Sequence, residues 1–315
     1  MTMQTQSLTE PQFAIHPATR LGHVHLTVAD LDRQIAFYQN VLGFKLHWRE
    51  GAAAGLGAGH EDLLRLTEVR GARRVRGTTG LYHFAVLLPS RRELARVLAR
   101  LFSLRYLNYP TDHVMTKTTY LDDPEGNGIE IYADTPEEGS FAIVNGDFVA
   151  RDARGAPRSG RDPLDVEALL RELTPGDRLD EPMPESTKIG HVHLRVADVA
   201  DAVRFYHDLL GFDNQGLSPT MGAGFVSAGS YHHHIGLNTW AGEGAPPPPP
   251  DALGLRYFTV VLPNRAELER VVDRVRAAAL PAEQTPEGLL VLDPSQNGVM
   301  LTDRSESSDQ DGRLA

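Results

Sequence analysis

A chain of 315 residues, 41% of them hydrophobic and 23% charged, has the length and make-up of a globular protein of about two domains. Its formal charge of −11 argues against binding to nucleic acid or anionic lipid, and no apolar run approaches the roughly 20 residues of a membrane helix. With no cysteine and no basic or apolar leader in MTMQTQSLTEPQFAIHP, the expectation is a cytoplasmic protein without disulfides, secretory signal or thiolate nucleophile.

The first expected element is an alternating strand over Gly22 to Val28, in which His23, His25 and Thr27 share one face and Val24, Leu26 and Val28 the other. Asp30 suits the N-cap of a helix on which Leu31, Ile35, Tyr38, Val41 and Leu42 recur at helical spacing, and Gly43 ends it. Gly51 to Thr79 is less regular and carries the basic loop VRGARRVRG. Leu81 to Leu88 reads as a strand and Arg91 to Leu101 as a helix, followed by strands at Thr116 to Leu121 and Gly128 to Tyr132 around the turn DPEGN. From Thr135 to Lys188 the composition shifts to Gly, Pro, Asp and Arg, which marks a linker interrupted by one amphipathic helix near Pro163 to Leu173. Pro246 to Pro250 is a stiff polyproline loop, and the polar tail from Arg304 onward is expected to be disordered.

The second half repeats the first. LGHVHLTVADLDRQIAFYQNVLGF, starting at Leu21, returns as IGHVHLRVADVADAVRFYHDLLGF, starting at Ile189, 168 residues on. LYHFAVLLPSRRELARV from Leu81 and DDPEGNGIEI from Asp122 return as LRYFTVVLPNRAELERV from Leu255 and LDPSQNGVML from Leu292. Between these copies His83 becomes Tyr257, Glu130 becomes Met300 and Tyr120 becomes Leu290, so the N-terminal half is expected to hold the chemistry. His23, His83 and Glu130 occupy related positions on strands of the two N-terminal modules. If those modules pack as one curved sheet, two imidazoles and a carboxylate meet as a facial triad that leaves positions open on a metal such as Fe(II). A lone strand histidine is more often structural; three at equivalent positions shift that balance.

GHVHLTVADLDRQIAFYQNVLGF resembles the opening module of the vicinal oxygen chelate superfamily, which includes glyoxalases, bleomycin-binding proteins and extradiol dioxygenases. The stretch TDHVMTKTTYLDDPEGNGIE, Thr111 to Glu130, is similar to the extradiol ring-cleavage signature, with Thr119 departing from its hydrophobic preference. The resemblance implies an α+β fold of four βαβββ modules paired into two half-barrel domains: a catalytic one over 19–134, a linker with one helix over 135–187 and a degenerate one over 188–304, before a tail over 305–315. It implies His23, His83 and Glu130 as ligands of Fe(II), with Mn(II) as a substitute, His113 as acid/base and Tyr120 as hydrogen-bond donor. The partners it implies are a small aromatic diol and dioxygen, with homo-oligomers common among such proteins. Extradiol cleavage would give a 2-hydroxymuconic semialdehyde-type product. Rival expectations on the same fold are a glyoxalase-like isomerase or thiol transferase, and a metal-free protein that binds an aromatic drug.

His25, two residues from His23 on the same face, is expected to orient a ligand or carboxylate. In the second half, His191 could join His232 and His234 in a vestigial metal site, on the premise that consecutive strand histidines alternate faces. Tyr257, Met300 and Glu283, the last standing where the first half has His113, argue instead for a structural or subunit-contact role there.

Overall fold

In the computed structural model, which describes residues 13–303, the chain forms four units, each of the order strand, helix, three strands. The first strands of the four modules are Arg20–Val28, Gly80–Leu87, Lys188–Arg195 and Gly254–Leu262. Within each module the first strand runs parallel to the last, as a right-handed crossover through a helix requires. The expected α+β fold of four βαβββ modules is thus observed. The less regular region of the first module also contributes two strands, Ala53–Gly57 and Asp62–Glu68.

The modules do not pair by halves. Arg20–Val28 of the first module pairs antiparallel with Gly254–Leu262 of the fourth, building an eight-stranded sheet, and Gly80–Leu87 of the second pairs with Lys188–Arg195 of the third in a nine-stranded one. Each half, 19–134 and 188–304, therefore contributes one module to each sheet. Contacts of another kind join the two modules within each half. The buried Tyr38 hydroxyl donates to Asp123 Oδ2 in the next module's DPEGN turn at 3.0 Å, and Tyr206 repeats this with Asp293 at 3.1 Å. Asp123 also accepts from the backbone N–H groups of Glu125 and Asn127, so this turn owes its aspartate to hydrogen bonding within the turn.

Period-2 alternation decides what each strand presents to which face. In Gly80–Leu87, Phe84 and Val86 enter the main core beneath the helices, whereas Ala85 and Leu87 lie on the other, concave face, together with His83. In Lys188–Arg195, Val192 and Leu194 take the core and leave His191 and His193 on the concave side. A bulge falls between Ile189 and His191, at Gly190, where a Cβ would stand 1.8 Å from the hydroxyl of the buried Tyr132.

The linker is more ordered than its composition suggests. Gly139–Val144, Asp147–Asp152 and Pro157–Arg158 form a three-stranded sheet, and the expected helix is present as the shorter Val166–Leu170, N-capped by Asp165. The residues from 304 to the C-terminus, expected to be disordered, lie outside the described residues. Among the described residues no helix is long and apolar enough to cross a membrane.

The cross-half pairing makes a separable prediction. A fragment ending at residue 145 leaves Arg20–Val28 and Gly80–Leu87 without the strands that cover their edges, so it should associate or aggregate in size-exclusion chromatography. A monomeric, cooperatively melting fragment would contradict this pairing.

Candidate metal centre

The register across the second sheet explains how three polar groups come together. His191 stands opposite Ala85, Ala85 opposite Glu130 and Glu130 opposite Tyr120, in one row across four strands. The small side chain in the second place leaves room for the groups on either side of it. His83, two residues before Ala85, enters the same space. Glu130 Oε2 lies 3.1 Å from both His83 Nε2 and His191 Nε2, and the two nitrogens are 3.3 Å apart. All three residues are buried.

These atoms fit a divalent cation. Three neighbouring ligands each about 2.1 Å from one ion stand about 3.0 Å apart at right angles, close to the edges of this triangle. Burial alone would raise the pKa of Glu130, but His191 and then His83, by charge and hydrogen bonding, hold its carboxyl well below the usual range. Burial lowers the pKa of His83 against the opposing pull of Glu130. A carboxylate beside neutral imidazole is the protonation state that binds a metal. His191 Nδ1 has no hydrogen-bond partner.

Two of the expected ligands, His83 and Glu130, are brought together; the third, His23, is not. It lies in the first sheet, 3.4 Å from Thr259 Oγ1 and 3.7 Å from Glu287 Oε2, in a cavity of about 900 Å³ also lined by His47, Arg65 and Met300. The place assigned to His23 is taken by His191, its counterpart in the repeat. His25 is likewise remote from the triad: its Nε2 meets Thr67 Oγ1 at 2.8 Å and its ring packs edge-on against Tyr257. The signal that could have identified His191 was the repeat itself, which supplies the phrase GHVH twice.

His113 and Tyr120 flank the triad as a hydrogen-bonded pair, Nε2 to hydroxyl at 2.8 Å. His113 Nδ1 faces the Gly160 carbonyl, which can only accept, so Nδ1 carries the proton and Nε2 of the neutral ring accepts from Tyr120. Burial first, and the Glu130 charge second, raise the pKa of Tyr120 well above its ordinary value and keep its hydroxyl protonated.

Two further histidines were placed wrongly by the assumption of a strand. Residues 231–234 form a loop before Ile235–Asn238, and it is His232 and His233, not His232 and His234, that approach His191. His234 Nδ1 instead accepts from the Ala228 N–H. The His233 ring centre is 4.3 Å from that of His191, and its Nδ1 is buried without a partner.

Above these groups is a cavity of about 80 Å³ whose apolar wall is Phe141, Phe148, Phe225 and Met221. Phe141 and Phe148 come from the linker sheet, their rings stacked at 5.4 Å. A flat, small molecule with an apolar body and polar atoms at one edge suits such a space: aromatic walls on its faces, the histidine and carboxylate donors at its edge.

The model of the Glyoxalase/Bleomycin resistance protein/Dioxygenase superfamily matches residues 20–131 and 188–307, and the chain belongs to that superfamily. It is 43% identical over 284 residues to catechol-2,3-dioxygenase of Bacillus subtilis (strain 168), covering 89% of this chain and 96% of the relative, which makes it an enzyme of the dioxygenase kind. Its fold is similar to that of glyoxalase I from Zea mays, with a TM-score of 0.52, 18% identity and 91% and 92% of the two chains covered. It is also similar to a solved structure from Bacillus subtilis subsp. subtilis str. 168, with a TM-score of 0.59, 12% identity and 94% and 87% covered.

The geometry separates the two repeated histidines. His191→Ala should weaken Fe(II) or Mn(II) binding by at least about 100-fold in equilibrium dialysis, whereas His23→Ala should leave it unchanged; the opposite pattern would return the site to the first sheet. Burial also gives the folded protein an acid limit. It lowers His23 and His232 from 6.5 to about 3, with Arg65 and His191 respectively adding to the effect. The unfolded chain takes up these protons below pH 6.5 and the folded one only near pH 3, so stability falls as pH drops through that window. Each ring should cost on the order of 2 kcal/mol at pH 5, and the urea midpoint of the metal-free protein should fall between pH 7 and pH 5.

Proposed function

We propose that the protein opens the ring of a catechol-type diol with dioxygen, beside the two hydroxyls, using Fe(II) held by His83, Glu130 and His191. Mn(II) fits the same donors. The observation that carries this reading is the buried triangle of two imidazoles and one carboxylate beneath an aromatic-walled cavity. The 43% identical catechol-2,3-dioxygenase agrees with it. When bound, such an ion would supply Lewis acidity toward the diol hydroxyls and redox chemistry toward dioxygen.

The remaining chemistry falls to the chain. A diol that binds through both oxygens must release protons, which needs a neutral base facing the cavity. His233 is placed for that role: it lines the cavity and its Nδ1 has no partner. The Nε2 lone pair of His113 is already engaged by Tyr120, so those two work as a unit. Tyr120 lines the cavity where the reacting oxygens would lie, and its one hydroxyl proton turns either to His113 Nε2 or to them, so His113 orients the hydroxyl and takes up or returns its proton. His113 thus keeps its acid/base role, exercised through Tyr120, with His233 as the second proton acceptor. The wall of phenylalanines keeps water from the ring while it is opened. The product is a 2-hydroxymuconic semialdehyde-type compound. A metal-free drug-binding role gives no account of a buried carboxylate between two histidines.

The reading is tested by anaerobic reconstitution with Fe(II) followed by catechol in air. A yellow product with matching oxygen uptake is expected, abolished in Glu130→Ala. His233→Gln and His113→Ala should each keep the metal and lose about 100-fold or more in turnover. Stoichiometric iron with no oxygen uptake on any of several diols would overturn the proposal.

A further inference from the structure

We propose that His191, His232 and His233 form a second metal site, exclusive of the first, which takes a zinc-like divalent ion through three imidazoles and switches the enzyme off. Each of the three residues offers one nitrogen within 4.8 Å of the others'. The His232 and His233 ring centres are 4.6 Å apart, and those of His191 and His232 are 6.2 Å apart. His191 reaches this set from its strand, whereas the other two come from the loop behind Ala223–Ser227.

Beside this geometry, a second observation points to a ligand here. The Nδ1 atoms of His191 and His233, both residues more than nine-tenths buried, have no hydrogen-bond partner, and a buried imidazole nitrogen in that condition is costly.

The donor sets differ in kind. His83, Glu130 and His191 contain a carboxylate, whereas His191, His232 and His233 are all imidazole, with Glu130 3.1 Å from the shared His191 and Asp134 4.0 Å from His232 Nδ1. Three histidines with an open fourth position make a known zinc arrangement, and zinc stands above iron in affinity for nitrogen sites. Because His191 belongs to both sets, an ion in the second site takes a ligand from the first. It also occupies His233, the proposed base. Zinc would therefore inhibit by capturing His191 and His233 rather than only by replacing iron in the triad.

This inference rests on the reading of His191 as a metal ligand, and binding rather than activity tests the two separately. The full-length protein and its Glu130→Ala and His83→Gln variants are titrated with Co(II), a spectroscopic stand-in for zinc. Circular dichroism identifies which of the two triad variants is folded and used. The expected result is one Co(II) per chain in the wild type and still one in the folded triad variant, lost when His232→Gln is added. Binding in the wild type but not in the triad variant would overturn the second site and leave the triad standing. Binding in neither would overturn both, and binding that survives His232→Gln would overturn this choice of ligands. In oxygen-uptake assays, His232→Gln should need at least tenfold more zinc than wild type for half-inhibition, each measured against its own zinc-free rate.

Discussion

The antiparallel pairing of Gly80–Leu87 with Lys188–Arg195 is the constraint on which the site depends. It sets His191 opposite Ala85 and so, one strand further, opposite Glu130. A slip of one residue would turn His191 into the core and bring Val192 to the concave face, leaving Glu130 buried with one partner fewer. A buried carboxylate in that condition costs several kcal/mol, so the register and the donor set stabilise one another. Gly190 belongs to the same arrangement, because its missing Cβ admits the Tyr132 hydroxyl beside the bulge that sets His191 in its place.

The first sheet repeats the geometry without the chemistry. Its equivalent row runs from His23 past Thr259 to Met300 and Leu290, where the second sheet has His191, Ala85, Glu130 and Tyr120, and Tyr257 stands for His83. Several polar groups left in that cavity pair with one another. Asp62 accepts from His47, Trp48 and Arg65, and Arg65 also pairs with Glu287, which in turn accepts from the Tyr257 hydroxyl. His23, half-buried at this cavity's wall, has no carboxylate among the described residues within hydrogen-bond distance, although its sequence context is nearly identical to that of His191.

This near-identity explains what the sequence could and could not reveal. Strands, helices and the two faces of each strand were legible because the periods that define them are local; His83, Glu130, His113 and Tyr120 were legible as a group because one module carries them all. The pairing of modules was not, since the alternation of GHVHLTV is equally compatible with a partner in its own half or in the other. His191 and His23 could be told apart only by which strand each lies against. The error over His232, His233 and His234 had a different origin: alternation was applied to a loop, entered through Ser230 at φ 67°. In the linker a usable signal was passed over, because the Asn145–Gly146 step between FAIV and FVA is a hairpin turn, and both residues adopt positive φ.

That hairpin has a consequence for how the enzyme divides its work. The proposed metal donors and proton carriers lie on the paired modules and the loop after them, but Phe141 and Phe148 of the cavity wall come from a segment outside the repeat. The wall can therefore change in shape, and with it the ring substituents it admits, without disturbing the register that holds His83, Glu130 and His191. The same wall lowers the local dielectric, which strengthens the attraction of Glu130 for a cation and raises the cost of leaving it without one. Under the proposed function, excluding water would serve two ends, holding an ion and sheltering the opened ring, and both would fall to a segment whose composition alone suggests a mere connection.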